Sequence, residues 1–187
     1  LFDGEIAHGG CVYNNRSLML IRYVEKLMRL LYSFEPKQWR NRLTGVHRIS
    51  YHNVALSAYM QKKATILLKE IIRLPVPCKR AFLRAFFNDE GCMDFRPATN
   101  HRKVRGYQKD VSILILVQNL LGDFDISARV VKPNEVIIVN KENLIKFERE
   151  INFSPGVYMN GNRSNSRWKK HIEKRELLRQ AIKSFKN

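Results

Sequence analysis

The sequence predicts an α+β fold made of two divergent, pseudo-symmetric halves, each of αββαββα order. Three observations carry that expectation. The order of helical and strand-like segments ahead of Pro75 runs again after it, and each copy opens on an acid followed by glycine, Asp3-Gly4 and Glu90-Gly91. The apolar share of 44% suits a packed core rather than a disordered tail. Basic residues recur in the strand-like segments of both halves. The repeat is legible in element order, not in letter identity.

In the first half, EIAHGGCVYNN reads as a short hairpin after Asp3-Gly4. SLMLIRYVEKLMRLLYSF places apolar residues at 18, 20, 21, 24, 27, 28 and 31, the spacing of an amphipathic helix, with Ser17 where an N-cap belongs. PKQWRNRLTGVHRIS reads as a basic hairpin around Thr44-Gly45. NVALSAYMQKKATILLKEIIRL reads as a second helix stopped by Pro75 and Pro77, which also suit the first turn of the next helix. The expected division is 1–74, a linker at 75–77, and 78–187.

The second half continues with a helix over 78–90, strands over 92–96 and 102–109, and a helix over 110–122. A hairpin around Pro133-Asn134 joins ISARVV to EVIIV, and ENLIKFEREI follows as a helix. The closing GNRSNSRWKKHIEKRELLRQAIKSFKN reads as a polar loop and a basic helix, either solvated or holding phosphates. The first residue is Leu rather than Met and LFDGE has no charged-then-apolar leader, so no signal peptide is read there and the native start is expected upstream.

Charge narrows the function. Lys plus Arg total 34 against 17 acids, a formal net charge of +17, which points to a polyanionic partner and first to nucleic acid. No run of about 18 apolar residues exists, so no membrane-spanning helix is expected. Cys11, Cys78 and Cys92 are scattered and odd in number, which suits an intracellular, reduced protein without a disulfide framework or zinc site. No phosphate-binding GxxxxGK[ST], no HExxH and no Ser-His-Asp arrangement is present.

FLRAFFNDEGCMDF, residues 82–95, is the stretch that carries chemistry. An apolar helix there ends on Asp89 and Glu90, where the macrodipole disfavours an anion by about 0.3–1 kcal/mol each. Ala81 and Ala85 lie one turn apart and would admit a neighbouring backbone, and Gly91 suits a left-handed helix cap. The segment is either a buried helix with an exposed acidic turn or a site that needs its acids.

Leu83 to Gly91 resembles the signature of the LAGLIDADG homing endonucleases, single-chain two-motif type. Leu83 opens the motif, Ala85 takes the small packing position and Glu90-Gly91 the terminal acid and glycine. Arg84 stands for Ala and Asn88 for the first Asp. Leu1-Phe2-Asp3-Gly4 resembles the end of a first copy. VQNLLGDFDISARV and NKENLIKFEREINFSPGV resemble later passages of a family repeat. The resemblance implies two repeats forming a β-saddle with two central motif helices, which would bring Asp3 and Glu90 together at the DNA minor groove.

The implied activity is a metal-dependent, staggered double-strand cut in a long DNA site by an intron-encoded monomer. Asp3 and Glu90, with Gly4 and Gly91 beside them, would hold Mg²⁺ or another divalent ion such as Mn²⁺. Two such ions about 3.5–4 Å apart stabilise the attacking and leaving oxygens of a phosphodiester. Lys62 and Lys63 are candidates to assist, against the reading of a solvated lysine pair. Relatives without cleavage, an RNA maturase acting on intron RNA or a DNA-binding regulator, are the alternative. The expected compartment is cytoplasmic, or organellar in a eukaryote.

The strand-like segments supply the expected DNA contacts: Arg40, Arg42 and Arg48 in the first half, and Arg102, Lys103, Arg105, Tyr107, Gln108, Lys109, Arg129 and Lys132 in the second. Strand alternation sets Lys103, Arg105, Tyr107 and Lys109 on one face, with Arg102, Val104 and Gln108 on the other. Arg to guanine and Gln to adenine would read bases, while Lys and Arg on phosphates would supply affinity. A charged strand edge that blocks aggregation is the competing reading.

Overall fold

Apolar residues spaced for helices and strands build the same strand order twice. The computed structural model describes residues 2–7, 9–159 and 172–185. The chain divides into two compact units, Leu1–Glu70 and Ile71–Asn187. In the first, β1 (Gly4–Ala7) and β2 (Gly10–Asn15) form the short hairpin, followed by α1 (Leu18–Tyr32). Then come β3 (Lys37–Arg40), β4 (His47–Tyr51) and α2 (Val54–Glu70). The sheet order is β1-β2-β4-β3, all antiparallel.

Helix α1 buries Leu20, Ile21 and Met28 against this sheet, while Leu18 and Leu31 stay exposed. Ser17 holds the N-cap position without a capping side-chain bond; its N–H donates to Asn15 Oδ1 at 2.8 Å instead. The chain leaves α1 through Ser33, in the left-handed region at φ 55°.

The second unit opens, after a 3-10 turn at Ile71–Arg73, with α3 (Val76–Asp89). Pro77 lies in its first turn, where no helical N–H bond is lost. There follow β5 (Gly91–Arg96), β6 (His101–Tyr107), α4 (Val111–Gly122), β7 (Ala128–Val131), β8 (Glu135–Ile138), α5 (Lys141–Glu150) and α6 (Lys174–Lys183). Asp110 caps α4 by accepting from the Ser112 N–H at 2.9 Å. The sheet order β5-β6-β8-β7 repeats that of the first unit.

Burial alternates along β5, with Gly91, Met93 and Phe95 inward. Edge-to-face rings then link α3 to α5 and the loop beyond it: Phe86 to Phe87, Phe87 to Phe147, and Phe147 to Phe153, with centroids 5.1, 4.9 and 5.5 Å apart. The closing basic helix buries one face and exposes the other. In α6, Lys174, Leu177, Leu178 and Ala181 are buried, and the helix packs on α5 and β5. Leu177, Leu178 and Ala181, three apolar positions set among many charges, form this packing face, with Lys174 one turn ahead of them. Trp168 and Lys169-Lys170 lie outside the described residues.

The last turn of α3 lies directly on the sheet. A Cβ on Gly91 would stand 2.3 Å from the Phe87 carbonyl oxygen, and one on its cross-strand partner Gly106 would stand 2.4 Å from the Phe86 ring. Gly91→Ala should therefore lower unfolding stability by about 1–3 kcal/mol, read from urea denaturation. Gly122→Ala, where a Cβ meets nothing within 4 Å, should be neutral or stabilising. Equal effects of the two substitutions would refute the close-packing account.

Candidate functional site

Glu90 is the C-cap residue of α3, at φ −97°, and its N–H donates to the Phe86 carbonyl at 2.8 Å. The expected left-handed cap at Gly91 does not form, because the chain passes from Glu90 straight into β5. Glycine is needed there for close approach, not for a positive φ. The Glu90 carbonyl accepts from the Tyr107 N–H of the neighbouring strand at 3.1 Å. In the first unit the Asp3 carbonyl accepts from the Asn14 N–H at 3.3 Å. Each acid is thus the residue before its unit's first strand and makes the same backbone bond, with Gly4 and Gly91 in matching places.

The surroundings of the two carboxylates differ. Asp3 accepts from Asn15 Nδ2 at 2.6 Å, and that residue's Oδ1 holds the Ser17 N–H. Glu90 is half-buried, and its pKa lies above the ordinary carboxylate value. Burial is the main cause, the Asp89 carboxylate adds to it, and the Lys174 ammonium opposes it. Lys174 comes from the first turn of α6, is 7% exposed, and donates from Nζ to the Asn88 carbonyl at 2.7 Å. A cation at the negative end of α3 offsets part of what its acids cost. The sequence offered no signal for Lys174, because the contact spans most of the second unit.

Asn88 has a local reason to be neutral. It is buried, donates from Nδ2 to Ser154 Oγ at 2.8 Å and accepts the Ser154 N–H at 2.9 Å. A carboxylate could accept but not donate, so the amide suits this bridge. Arg84 likewise turns away from the acids and donates from Nε to the Ile151 carbonyl at 2.7 Å.

Among the described residues, no three or more His, Cys, Asp and Glu gather as a metal cluster. The hard oxygens of Asp3 and Glu90 still suit Mg²⁺, which takes one or two carboxylates and completes its shell from water or phosphate. Lys62 and Lys63 lie mid-way along α2 on its exposed side, and the Lys63 ammonium sits 5.5 Å from the centroid of the Tyr59 ring one turn back.

Cross-strand pairing assigns the other candidates to faces, since directly opposed residues point the same way. In the second unit Asp94 opposes Lys103, Cys92 opposes Arg105, and Tyr107 opposes Glu135. These residues, with Arg129 across Ile137 from Arg105, lie on the face turned from the buried Met93, Val104 and Val136. Arg102 is on the helix-covered face: it donates from Nε to Ser184 Oγ at 2.7 Å and stacks on Phe185. Gln108 and Lys109 follow β6, the former donating its N–H to the Asn134 carbonyl at 3.1 Å. Lys132 is exposed in the turn between β7 and β8. In the first unit Arg48 shares its face with Trp39, whereas Arg40 shares the face of buried Ile49. Arg42 is exposed in a turn that Asn41 Oδ1 holds by accepting from the N–H groups of Leu43 and Thr44.

Two acids that strand-by-strand reading passes over sit among these bases. Glu135 accepts from Arg105 Nε at 2.9 Å and from its Nη2 at 2.5 Å. Asp94 accepts from Arg96 Nε and Nη2 at 2.8 and 2.7 Å. The hydrogen bond from Arg105 is the main reason Glu135 stays below the usual carboxylate range. Burial pushes Asp94 up, but Arg96, and with it Arg105 and His101, holds it low.

A motif helix ending on an acid and running directly into a four-stranded antiparallel sheet defines an α+β fold of LAGLIDADG type. Residues 77–152 match the LAGLIDADG-like domain family, so the second unit carries a LAGLIDADG-like domain. Solved structures extend the likeness of fold. A variant of the homing endonuclease I-DmoI matches at 16% identity and a TM-score of 0.60, over 78% of this chain and 77% of that one. I-DmoI bound to DNA and Mn matches at 17% identity, over 76% and 80%, with a TM-score of 0.57. Full-length DUF199/WhiA from Thermatoga maritima matches at 15% identity over all of this chain and 57% of its own length, with a TM-score of 0.64. No relative is found among curated proteins. Among the described residues no helix is long and apolar enough to cross a membrane.

The position of Glu90 sets a pH signature. A carboxyl with a raised folded pKa binds its proton more tightly in the folded state. Its stabilising share is therefore present at acid pH and lost as pH rises through the raised value. Glu90→Gln should melt above the parent at neutral pH, and the gap should close towards about pH 4, where the unfolded carboxyl also takes up its proton. A gap that stays constant or widens on acidification would contradict this, as read by thermal melting across a pH series.

Proposed function

We propose that the chain is a site-specific, divalent-metal-dependent DNA endonuclease of the homing type. The observation that carries the reading is the matching placement of Asp3 and Glu90, each before the first strand of a unit of identical strand order and each making the same backbone bond. Fold alone does not choose, because it is shared by a homing endonuclease and by WhiA. Two carboxylates at equivalent positions in a chain of net charge +17 need a reason, and cation binding beside a polyanion supplies one. Complexes of I-DmoI with its target DNA that contain Mn or Mg support the same choice.

Divalent ions held there would stabilise the charge that develops on the phosphodiester oxygens. Glu90 would hold such an ion readily, because half-burial beside Asp89 leaves its anion poorly solvated. Asp3 would be aimed by Asn15, and Gly4 and Gly91 would border the ion as the residues that follow each acid. Lys62 and Lys63 would serve as phosphate neutralisers. Arg48, Lys103, Arg105, Tyr107 and Arg129 would meet the duplex from the sheet faces, with Arg42, Lys109 and Lys132 flanking from turns. Arg102 does not belong to this set, since Ser184 and Phe185 engage its guanidinium. A monomeric, intron-encoded enzyme with repeats at 1–74 and 78–187 is part of the same proposal. Binding without cutting, to DNA or to intron RNA, is the second reading, kept because the likeness to WhiA spans the whole chain.

Full-length chain with Mg²⁺ should cut a randomised duplex pool at one long recurrent site, identified by sequencing the ends. Asp3→Asn and Glu90→Gln should each slow cutting by about 100-fold or more while duplex binding persists. Undiminished cutting by Glu90→Gln would remove the carboxylate mechanism. Binding without any cutting by the parent would favour the second reading.

A further inference from the structure

The guanidinium of Arg105 is held on three sides. Glu135 grips its Nε and Nη2 as a fork, with oxygens at 2.9 and 2.5 Å. Nη2 also donates to the Tyr107 hydroxyl, and the guanidinium carbon lies 5.1 Å from that ring's centroid. Asp94 Oδ2 stands 3.6 Å from Nη1, outside the hydrogen bonds that the described residues make. The side chain is still 27% exposed, so the fixed group reaches the surface. Its Nη1 amino group is the part left without a hydrogen bond among the described residues.

Such a grip is wasted on a phosphate contact. A residue that grips phosphate works by uncompensated charge and tolerates loose geometry, whereas two acids here neutralise much of the charge that would attract a backbone. A residue that reads a base edge needs angular accuracy and gains from having lost its side-chain freedom in advance, worth about 0.5–1.5 kcal/mol per immobilised chain. The neighbouring row supplies the contrast. Arg129 opposes the same Ile137 as Arg105, is exposed, and has no ion pair among the described residues.

Resting on the reading that this face meets duplex DNA, we propose that Arg105 and Glu135 form one base-reading unit. Arg105 presents Nη1 to a base edge carrying major-groove acceptors, guanine by preference, and Glu135 is the positioning residue that fixes its angle. Arg129, on the same face, is a phosphate contact without sequence preference.

The test is parallel selection of randomised duplexes by the full chain in Ca²⁺, with thermal melting of each variant as the folding control. The parent should recover a recurrent site. Arg105→Ala and Arg105→Lys should each lose about 10- to 100-fold of discrimination at one G·C pair and leave the other positions intact. Glu135→Gln should lose preference at that same pair while binding scrambled duplex as tightly as the parent or tighter, since one anion is gone. Arg129→Ala should weaken all duplexes alike and reduce the salt slope by about 1. Glu135→Gln tightening cognate and scrambled duplex equally would reduce Glu135 to a repulsive charge and overturn the proposal. A uniform loss for Arg105→Ala would overturn it too, as would unchanged selection with a lowered melting point, which marks a purely structural pair. Failure of the parent to recover any site would instead remove the DNA-binding reading beneath it.

Discussion

The close seating of α3 on its sheet governs the second unit. Gly91 and Gly106 oppose each other across β5 and β6, and neither leaves room for a Cβ beneath Phe86 and Phe87. This contact brings the helix end onto the strands and lets the edge-to-face series from Phe86 through Phe153 close over it. It also allows no loop between helix and strand, so the residue at the junction, Glu90, is half-buried whatever its chemistry. A neutral residue would be easier to keep there. The acid is retained against desolvation, against Asp89 and against the helix dipole, and Lys174 offsets only part of that burden.

This arrangement separates two tasks within a single helix end. Asn88 and Lys174 hold the turn in place, one through Ser154 and the other through the last carbonyls of α3. Neither presents an anion outward. Among the described residues Glu90 makes no ion pair of its own, and backbone bonds to Phe86 and Tyr107 hold its main chain. On the metal-binding reading, a carboxylate so placed could exchange ligands without unfolding its support. Asp3 reaches a similar condition by a different route, through the Asn15 amide that also organises the entry to α1.

Much of the fold was legible because it rests on local periodicity. The apolar spacing of α1, the prolines before α3 and the basic hairpin around Thr44-Gly45 each carry their information within a few residues. What escaped was set by distant partners. Gly91 could be read as a helix-cap glycine, but its actual reason, a carbonyl pressed against it, belongs to packing rather than to backbone conformation. The inward face of α6 was masked by its charges, although Leu177, Leu178 and Ala181 lie at core spacing. Asp94 and Glu135 stand on separate strands, far apart in sequence. Only the register that sets Tyr107 opposite Glu135 reveals that they bracket Arg105. Arg102 shows the same limit, since strand parity gives its face but not the helix end that occupies it.

The two sheets therefore differ in how they carry positive charge, although their strand order is the same. In the first unit Arg48 lies beside exposed Trp39, and no ion pair engages it among the described residues. In the second, Arg96 and Arg105 are tied to Asp94 and Glu135. Free surface cations release counterions from any duplex and so contribute affinity with little regard to sequence. Cations already matched by acids give up much of that attraction and retain what geometry can add. On the DNA-binding reading, the cations of both units that make no ion pair among the described residues, such as Arg48 and Arg129, supply the grip, and Arg105 with its acids supplies discrimination. That division accounts for acids standing in the middle of a basic face, where a uniform demand for affinity would have excluded them.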